Sequence, residues 1–132
     1  MREIQVRTNK RTEMVDITCN IEKVVSDEKI IEGLIVVFVP HTTAAVTINE
    51  GADPDVKTDI TNFLLNLILK DKAFKHSEGN SDAHIKASII GSSETIIVKN
   101  GRLILGTWQH IFFFEGDGPR NRKVFIEIIK KE

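Results

Sequence analysis

The sequence predicts an α+β domain in which antiparallel strands predominate, and three observations support this fold class. Apolar and polar residues alternate along several short segments, which is the period of a half-buried strand. The segment 53–70 instead places its apolar residues three and four positions apart, as on one face of a helix. The dipeptide Asn100-Gly101 separates two strand-like segments and is typical of a tight hairpin turn.

Strands dominate the expected order of elements. They are predicted at residues 3–8, 12–17, 33–39, 42–48, 94–98, 102–105, 108–114 and 124–129. The segment 33–39 is apolar at nearly every position, so we expect it to be buried on both faces. Phe112, Phe113 and Phe114 place aromatic rings on both faces of their strand, which is therefore either central or at a subunit contact.

One short helix and one long helix are expected. Thr18 is a suitable cap for the short helix, whose inner face would carry Ile17, Ile21, Val24 and Val25. Cys19 lies beside these positions and is expected in the core. The long helix has Asp53 as its cap and Pro54 in its first turn, and it is expected to end near Lys70.

Residues 74–83 are rich in small polar residues and are expected to form a loop. Beyond this loop the pattern resembles a strand again. Ile85, Ala87 and Ile89 would share one face, and His84, Lys86 and Ser88 the other. Residues 115–122 form a second expected loop, rich in Gly and Pro.

Composition excludes several classes of protein. The chain has 132 residues without a repeat or a linker-like stretch, so we expect one domain over residues 1–132. Its 18 basic and 19 acidic residues nearly cancel, which gives no indication of nucleic-acid binding. No apolar run is long enough for a membrane span and no signal-peptide pattern is present, so the expected location is cytoplasmic. A single cysteine excludes an internal disulfide and a cysteine-rich zinc site.

Histidines are the first candidates for a site. His76 and His84 are separated by seven residues, a loop that can bring both imidazoles to one cation. His41 follows an apolar strand in Pro-His-Thr-Thr. Taken singly, His41 is more often a polar strand end than a ligand, and a solvated loop is the commoner case for His76 and His84.

Four further residues carry candidate roles. Glu50 lies outside the long helix, so helix capping does not explain it, and its carboxylate suits a general base or a metal contact. Lys86 and Arg120 are cations suited to phosphate, although a solvated lysine and a simple turn arginine are the commoner cases. Gln109 follows Trp108 on a predicted strand, so one of the two side chains can pack while the other reaches a site.

Together these segments resemble one family, the YjbQ-like proteins. Its first motif resembles residues 40–50, Pro-His-Thr-Thr-Ala-Ala-Val-Thr-Ile-Asn-Glu, followed by Asp53-Pro54 and Asp55. Its second resembles His76-x-x-Gly-Asn-x-x-Ala-His84-Ile-Lys86 with Gly91-Ser92-Ser93. Its third resembles Gly106-Thr107-Trp108-Gln109 and Asp117-Gly118-Pro119-Arg120. The order is that of the family, and the resemblance covers essentially the whole chain.

The resemblance implies a compact fold with an antiparallel or mixed β-sandwich, assembled as a homotrimer. It also implies a pocket in which His41, His76 and His84 hold a divalent metal ion, zinc or magnesium, on which a phosphorylated small molecule is bound. Glu50, Lys86, Gln109 and Arg120 are the catalytic candidates. His110 is left outside this site because the position varies among similar proteins.

Family members are often described as secondary thiamine-phosphate synthases, which join a pyrimidine-methyl diphosphate to a thiazole phosphate and release pyrophosphate. The first expectation is therefore a small metal-dependent enzyme with this activity. The alternatives are a trimeric metal- or metabolite-binding protein without turnover, and a metal-assisted hydrolase. The sequence offers no obvious nucleophile that would decide between them.

Overall fold

The computed structural model describes residues 1–70 and 73–132. The elements in chain order are β1 Arg2–Arg7, β2 Glu13–Asp16, α1 Thr18–Asp27, β3 Gly33–Phe38, β4 Ala44–Glu50, α2 Pro54–Leu67, α3 Ser81–Ile90, β5 Ser93–Lys99, β6 Arg102–Leu103, β7 Gln109–Glu115 and β8 Asn121–Lys130. No helix in this part of the chain is long and apolar enough to cross a membrane.

The described residues form eight strands in two sheets. The larger has the order β1-β8-β3-β5-β6 and the smaller has the order β2-β7-β4. Every strand pair within the described ranges is antiparallel. The α+β class is therefore confirmed, with three helices among the described residues in place of the expected two.

One apolar core joins both sheets and α1. Ile35 and Ile126 enter it from the larger sheet, Ile111 and Phe113 from the smaller sheet, and Ile21 from α1. All five of these side chains have no measurable exposure. A second cluster lies on the other face of the smaller sheet, where α2 and α3 pack on Met14, Ala45, Phe112 and Phe114.

Predictions from neighbouring residues in the sequence were most accurate for α2 and for the Asn100-Gly101 hairpin turn. The Asp53 carboxylate accepts a hydrogen bond from the backbone N–H of Asp55 at 2.9 Å, and Pro54 begins the helix as expected. The helix ends at Leu67, slightly before the predicted end near Lys70. Asn100 and Gly101 have φ of 53° and 74°, the left-handed conformation that a tight hairpin turn requires.

The predicted strand over residues 84–89 is wrong, because this segment belongs to α3. The buried residues of α3 are Asp82, Ala83, Lys86 and Ala87, which follow helical spacing. Two of these four are charged, so the apolar pattern alone missed the buried face. Ile89 is 61% exposed, and its apparent alternation with Ile85 and Ala87 was accidental.

Two expectations about burial and one about helix capping are also wrong. β3 is buried on one face only, and its other face exposes Leu34 and Phe38 because no element among the described residues covers that side of the larger sheet. Cys19 is exposed rather than in the core. Thr18 is not the cap of α1, since its own backbone N–H donates to the Asp16 carboxylate at 3.0 Å.

The three consecutive phenylalanines are explained by a central strand. β7 lies between β2 and β4, and its two faces are covered by the main core on one side and by α2 and α3 on the other. Phe112, Phe113 and Phe114 are at most 3% exposed. Of the two alternatives that the sequence left open, a central strand is therefore confirmed, and these residues do not form a subunit contact.

Candidate functional site

A polar cavity of about 360 Å³ lies between the β3–β4 connection and α3. His41 enters it from the connection, and His84 enters it from α3. Hydroxyl groups of Thr42, Ser88 and Ser92 complete a lining that also includes small residues. The structure therefore brings together two histidines that are 43 positions apart in the chain.

His41 is held by the backbone of β8. Its Nε2 accepts a hydrogen bond from the backbone N–H of Lys123 at 3.0 Å. Burial, and then the nearby positive charge of Arg122, lower the pKa of His41. The ring is therefore neutral at pH 7, as a metal ligand must be. With Nε2 accepting a hydrogen bond, the proton of the neutral ring is on Nδ1, so metal binding requires a reoriented ring.

His84 connects the cavity to the third histidine. The His76 and His84 rings meet edge to face, with their centroids 5.2 Å apart. The expectation that the intervening loop brings these two imidazoles together is thus supported by their contact. Within residues 1–70 and 73–132, however, no three His, Cys, Asp or Glu side chains are arranged to hold one ion.

The C-terminal end of α3 favours a cation in the cavity. α3 ends at Ile90, and the next residue, Gly91, lines the cavity. A helix carries partial negative charge at this end, which attracts cations and repels anions. This end of α3 and the neutral imidazole of His41 suit a metal ion better than a bare phosphate.

Lys86 does not line this cavity and does not share a face with His84. Residues two apart on a helix point to nearly opposite sides, so the face predicted from strand spacing was wrong. The Lys86 side chain is fully buried, and its Nζ lies 3.2 Å from an Asp82 carboxylate oxygen. Arg11 donates two hydrogen bonds to the same carboxylate, at 3.0 and 3.1 Å. Burial opposes ionisation of Asp82, but these donors outweigh it and lower the pKa of Asp82 to about 2.

Arg120 lies elsewhere, on an exposed loop. Its guanidinium donates to the backbone carbonyl of Asp117 at 2.7 Å and to the Asp117 carboxylate at 3.0 Å. It lines a separate cavity of about 400 Å³ with Arg7 and Thr8. In this structure Arg120 therefore stabilises the turn that begins at Asp117, which is the commoner of the two roles that the sequence allowed.

Glu50 and Gln109 are neighbours at one end of the smaller sheet, where the two residues face each other across β4 and β7. The Glu50 carboxylate accepts from the backbone N–H groups of Ala52 and Asp53, at 3.0 and 3.2 Å. The Gln109 side-chain oxygen accepts from the backbone N–H of Gly106 at 2.7 Å. Both side chains stabilise adjacent loops, and neither lines the histidine cavity.

Sequence reasoning missed the buried charges that support the cavity. Glu115 is fully buried and accepts hydrogen bonds from Arg122 and from the Thr8 hydroxyl, the latter at 2.8 Å. Arg122 also donates to the Thr43 hydroxyl at 2.9 Å, two residues from His41. The sequence could have indicated these buried charges, because Glu115 and Arg122 lie next to apolar residues in Phe-Phe-Phe-Glu and Arg-x-Val.

Comparison with known proteins agrees with this architecture along the whole chain. The sequence model of the UPF0047 protein YjbQ-like family matches residues 2–131. The chain belongs to the YjbQ-like family. UPF0047 protein MJ1081 of Methanocaldococcus jannaschii is 58% identical over 95% of this chain and 91% of its own length. UPF0047 protein YugU of Bacillus subtilis is 45% identical over 98% of both chains.

Solved structures of YjbQ-like proteins show the same fold. A protein of this family from Clostridium acetobutylicum is 52% identical and superposes with a TM-score of 0.95, covering 98% of this chain and 100% of its own. A hypothetical protein from Aeropyrum pernix is 42% identical and superposes with a TM-score of 0.93, over 98% of both chains.

The three YjbQ-like motifs occupy distinct places in this structure. The first supplies His41 and β4, and the second supplies His76 and α3. The third supplies the start of β7 and the loop that follows β7. Within one chain only the first two motifs meet at the histidine cavity.

Proposed function

We propose that this YjbQ-like protein binds a divalent metal ion in the cavity between His41 and α3, and that the metal acts on a phosphorylated small molecule. One observation carries the proposal. The imidazoles of His41 and His84 line the same cavity, and the ring of His76 contacts that of His84.

The donor set favours zinc over magnesium. Neutral imidazole is a preferred ligand of zinc, whereas magnesium prefers oxygen ligands and retains its waters. His84 and a reoriented His41 would hold the ion, and His76 lies next to His84. A bound metal would neutralise negative charge on a phosphate or a leaving diphosphate. The hydroxyls of Thr42 and Ser92 line the same cavity and would orient the ligand.

The first prediction concerns zinc affinity. His84→Ala is expected to weaken zinc binding by at least about tenfold, because removing a ligand costs more than disturbing a residue that merely orients one. His110→Gln serves as the control, since His110 lies outside the cavity. Isothermal titration of the metal-free protein with zinc measures both. Equal zinc affinities of His84→Ala and the unaltered protein would contradict the proposed site.

The second prediction concerns activity. We expect slow formation of thiamine phosphate from the two phosphorylated precursors, dependent on zinc, magnesium or manganese and absent in His84→Ala. Mass spectrometry of the reaction mixture detects the product. Product formed at the same rate by His84→Ala would show that the activity does not come from this cavity.

The positions of two cations favour a second candidate, a binding protein without turnover. Lys86 is paired with Asp82, and Arg120 is paired with Asp117. Neither is directed into the histidine cavity, so the metal alone would have to neutralise a leaving diphosphate there. Zinc binding that depends on His84, without product formation under any metal, would favour this candidate.

A metal-assisted hydrolase is less well supported by the geometry. Glu50, the candidate base for a metal-bound water, directs its carboxylate to the backbone before α2. It would have to leave these hydrogen bonds and reach a cavity that it does not line.

We also propose assembly as a homotrimer. The three phenylalanines of β7 do not support it, because they are buried within the chain. Its support is the uncovered face of the larger sheet, where Leu34, Phe38, Ile97 and Ile129 are 38–55% exposed. An apolar face of this kind is commonly covered by another subunit.

A further inference from the structure

A cavity of about 600 Å³ lies between α2 and the smaller sheet, and it shares no lining residue with the histidine cavity. Met14 and Phe114 line it from the sheet, Leu64 from α2 and Ile90 from the end of α3. Small-molecule sites in proteins are concave, mostly apolar spaces of about this size. None of the roles described above uses this cavity.

α2 covers the smaller sheet loosely. None of its residues is buried, whereas the shorter α1 buries four of its ten residues. Phe63 lines the cavity although it is 65% exposed, so the cavity opens to solvent beside this ring. Protein interiors are packed about as densely as organic crystals. An apolar space left between a helix and a sheet is therefore a place that a ligand can fill.

The polar groups of the cavity lie towards the start of α2. Thr47 and Asn49 are two positions apart on β4, so both side chains point to the face of the sheet that lines the cavity. Only residues 51–53 connect β4 to α2. The early turns of the helix, which carry Asp59, therefore lie nearer to Asn49 than the later turn with Leu64 does. The cavity thus has a polar end and an apolar end.

The charge at the polar end selects between ligands. Asp59 is exposed, and among the described residues that line the cavity it is the one that carries a charge. Its carboxylate attracts a cation and repels a phosphate. The hydroxyl of Thr47 and the amide oxygen of Asn49 are further acceptors. The Asn49 amide is held in place, because its oxygen accepts a hydrogen bond from the backbone N–H of Glu50 at 2.8 Å.

We propose that this cavity binds a small organic cation, an amine whose ammonium group lies beside Asp59 and whose apolar body lies against Met14, Phe114 and Leu64. This ligand is opposite in charge to the phosphorylated compound proposed for the histidine cavity, so the two cavities take different classes of molecule. A small molecule suits the space better than a second copy of the chain does, because the space lies beneath α2 rather than on a flat outer face.

Three probes with the same apolar body and different head groups test the proposal. Phenethylamine is a cation at pH 7, phenethyl alcohol is neutral and hydrocinnamate is an anion. We expect phenethylamine to shift the NMR signals of the Thr47, Asn49 and Leu64 backbone amides in the isotope-labelled full chain, with a Kd of about 1 mM, which is usual for so small a ligand. Pairing with an exposed carboxylate favours the amine over the alcohol by about fivefold, and hydrocinnamate is expected to bind most weakly.

Two variants separate the contributions of charge and of apolar contact. Asp59→Asn is expected to leave phenethylamine and phenethyl alcohol with similar affinities. Phe63→Ala is expected to weaken the binding of all three probes at least about threefold, because it removes part of the apolar wall. Leu67→Ala is the matched control, since Leu67 lies on the same helix, is 62% exposed and does not line the cavity. All three replaced side chains are exposed, so the variants are expected to fold, which circular dichroism checks.

Three results would overturn the proposal. Unshifted signals at saturating phenethylamine would show that the cavity holds no ligand of this class. Hydrocinnamate binding as tightly as phenethylamine would show that Asp59 does not select the ligand. A smaller particle in light scattering for both Phe63→Ala and Leu67→Ala would assign this side of α2 to a contact between copies of the chain. If Phe63→Ala does not fold, the comparison of Asp59→Asn with the unaltered chain decides.

Discussion

Asp82→Asn is expected to lower the free energy of unfolding by about 3–5 kcal/mol, because it leaves a buried ammonium group without its counter-charge. Lys86 is fully buried, and its Nζ is paired with the Asp82 carboxylate at 3.2 Å. Arg11 loses the same partner, although it keeps a contact with Asp117 at 3.7 Å. Urea denaturation followed by circular dichroism measures the change.

The chain contains a matched control on α1. Lys23 and Asp27 form an ion pair with the same four-residue spacing, but the Lys23 side chain is 74% exposed. Asp27→Asn is therefore expected to leave the free energy of unfolding nearly unchanged. Equal losses in Asp82→Asn and Asp27→Asn would show that burial of the Lys86 pair has no energetic consequence.

The same pair predicts how stability responds to acid. The pKa of Asp82 is lowered from 3.8 to about 2 in the folded chain. A group with a depressed folded-state pKa stabilises the fold above its unfolded value, and this contribution is lost as the pH falls towards 2. The difference in stability between the unaltered chain and Asp82→Asn should therefore be largest above pH 4 and should shrink between pH 4 and pH 2.

Arg122→Met is expected to cost about 3–5 kcal/mol of unfolding free energy, the second large effect, because it removes the counter-charge of a fully buried carboxylate. Glu115 is fully buried and Arg122 is 5% exposed. The Thr43 hydroxyl would also lose its donor at 2.9 Å, next to the loop that carries His41. We therefore expect weaker zinc binding as well as lower stability.

Arg120→Met and a double variant complete this experiment. Arg120 also pairs with a carboxylate, but its side chain is 51% exposed, so its replacement is expected to cost less than about 1 kcal/mol.

Combining Arg122→Met with Glu115→Gln removes both charges and is expected to recover more than half of the loss, while the amide still accepts from Thr8. A double variant no more stable than Arg122→Met would contradict the explanation by an unpaired buried charge.

The sequence predicted the class of fold and much of the core. It placed Ile21, Val24 and Val25 on the inner face of α1, and all three are buried. It failed where buried positions are charged, as in α3, because a pattern of apolar residues carries no signal for a lysine in the interior. The strand face assigned to His84 and Lys86 failed for the same reason.

The candidate site was predicted in part. His41 and His84 line one cavity, and His76 contacts His84. Glu50, Gln109, Arg120 and Lys86 lie at other places in the chain's fold, where each is paired with nearby groups. Motif residues that are close in the sequence were separated because they lie on different elements or on different sides of one element.

The sequence by itself determined the features that depend on neighbouring residues. Asp53 and Pro54 begin α2 because capping satisfies N–H groups within one turn, and Asn100-Gly101 turns the hairpin because both residues tolerate a positive φ. Only the tertiary structure decided which charges are buried and which histidines meet. Asp82 receives its guanidinium partner from Arg11, 71 positions away, and His110 receives its carboxylate from Asp16, 94 positions away. Whether a polar group can be buried depends on such distant partners, since the cost of removing a charge from water is offset only when the folded chain supplies a counter-charge.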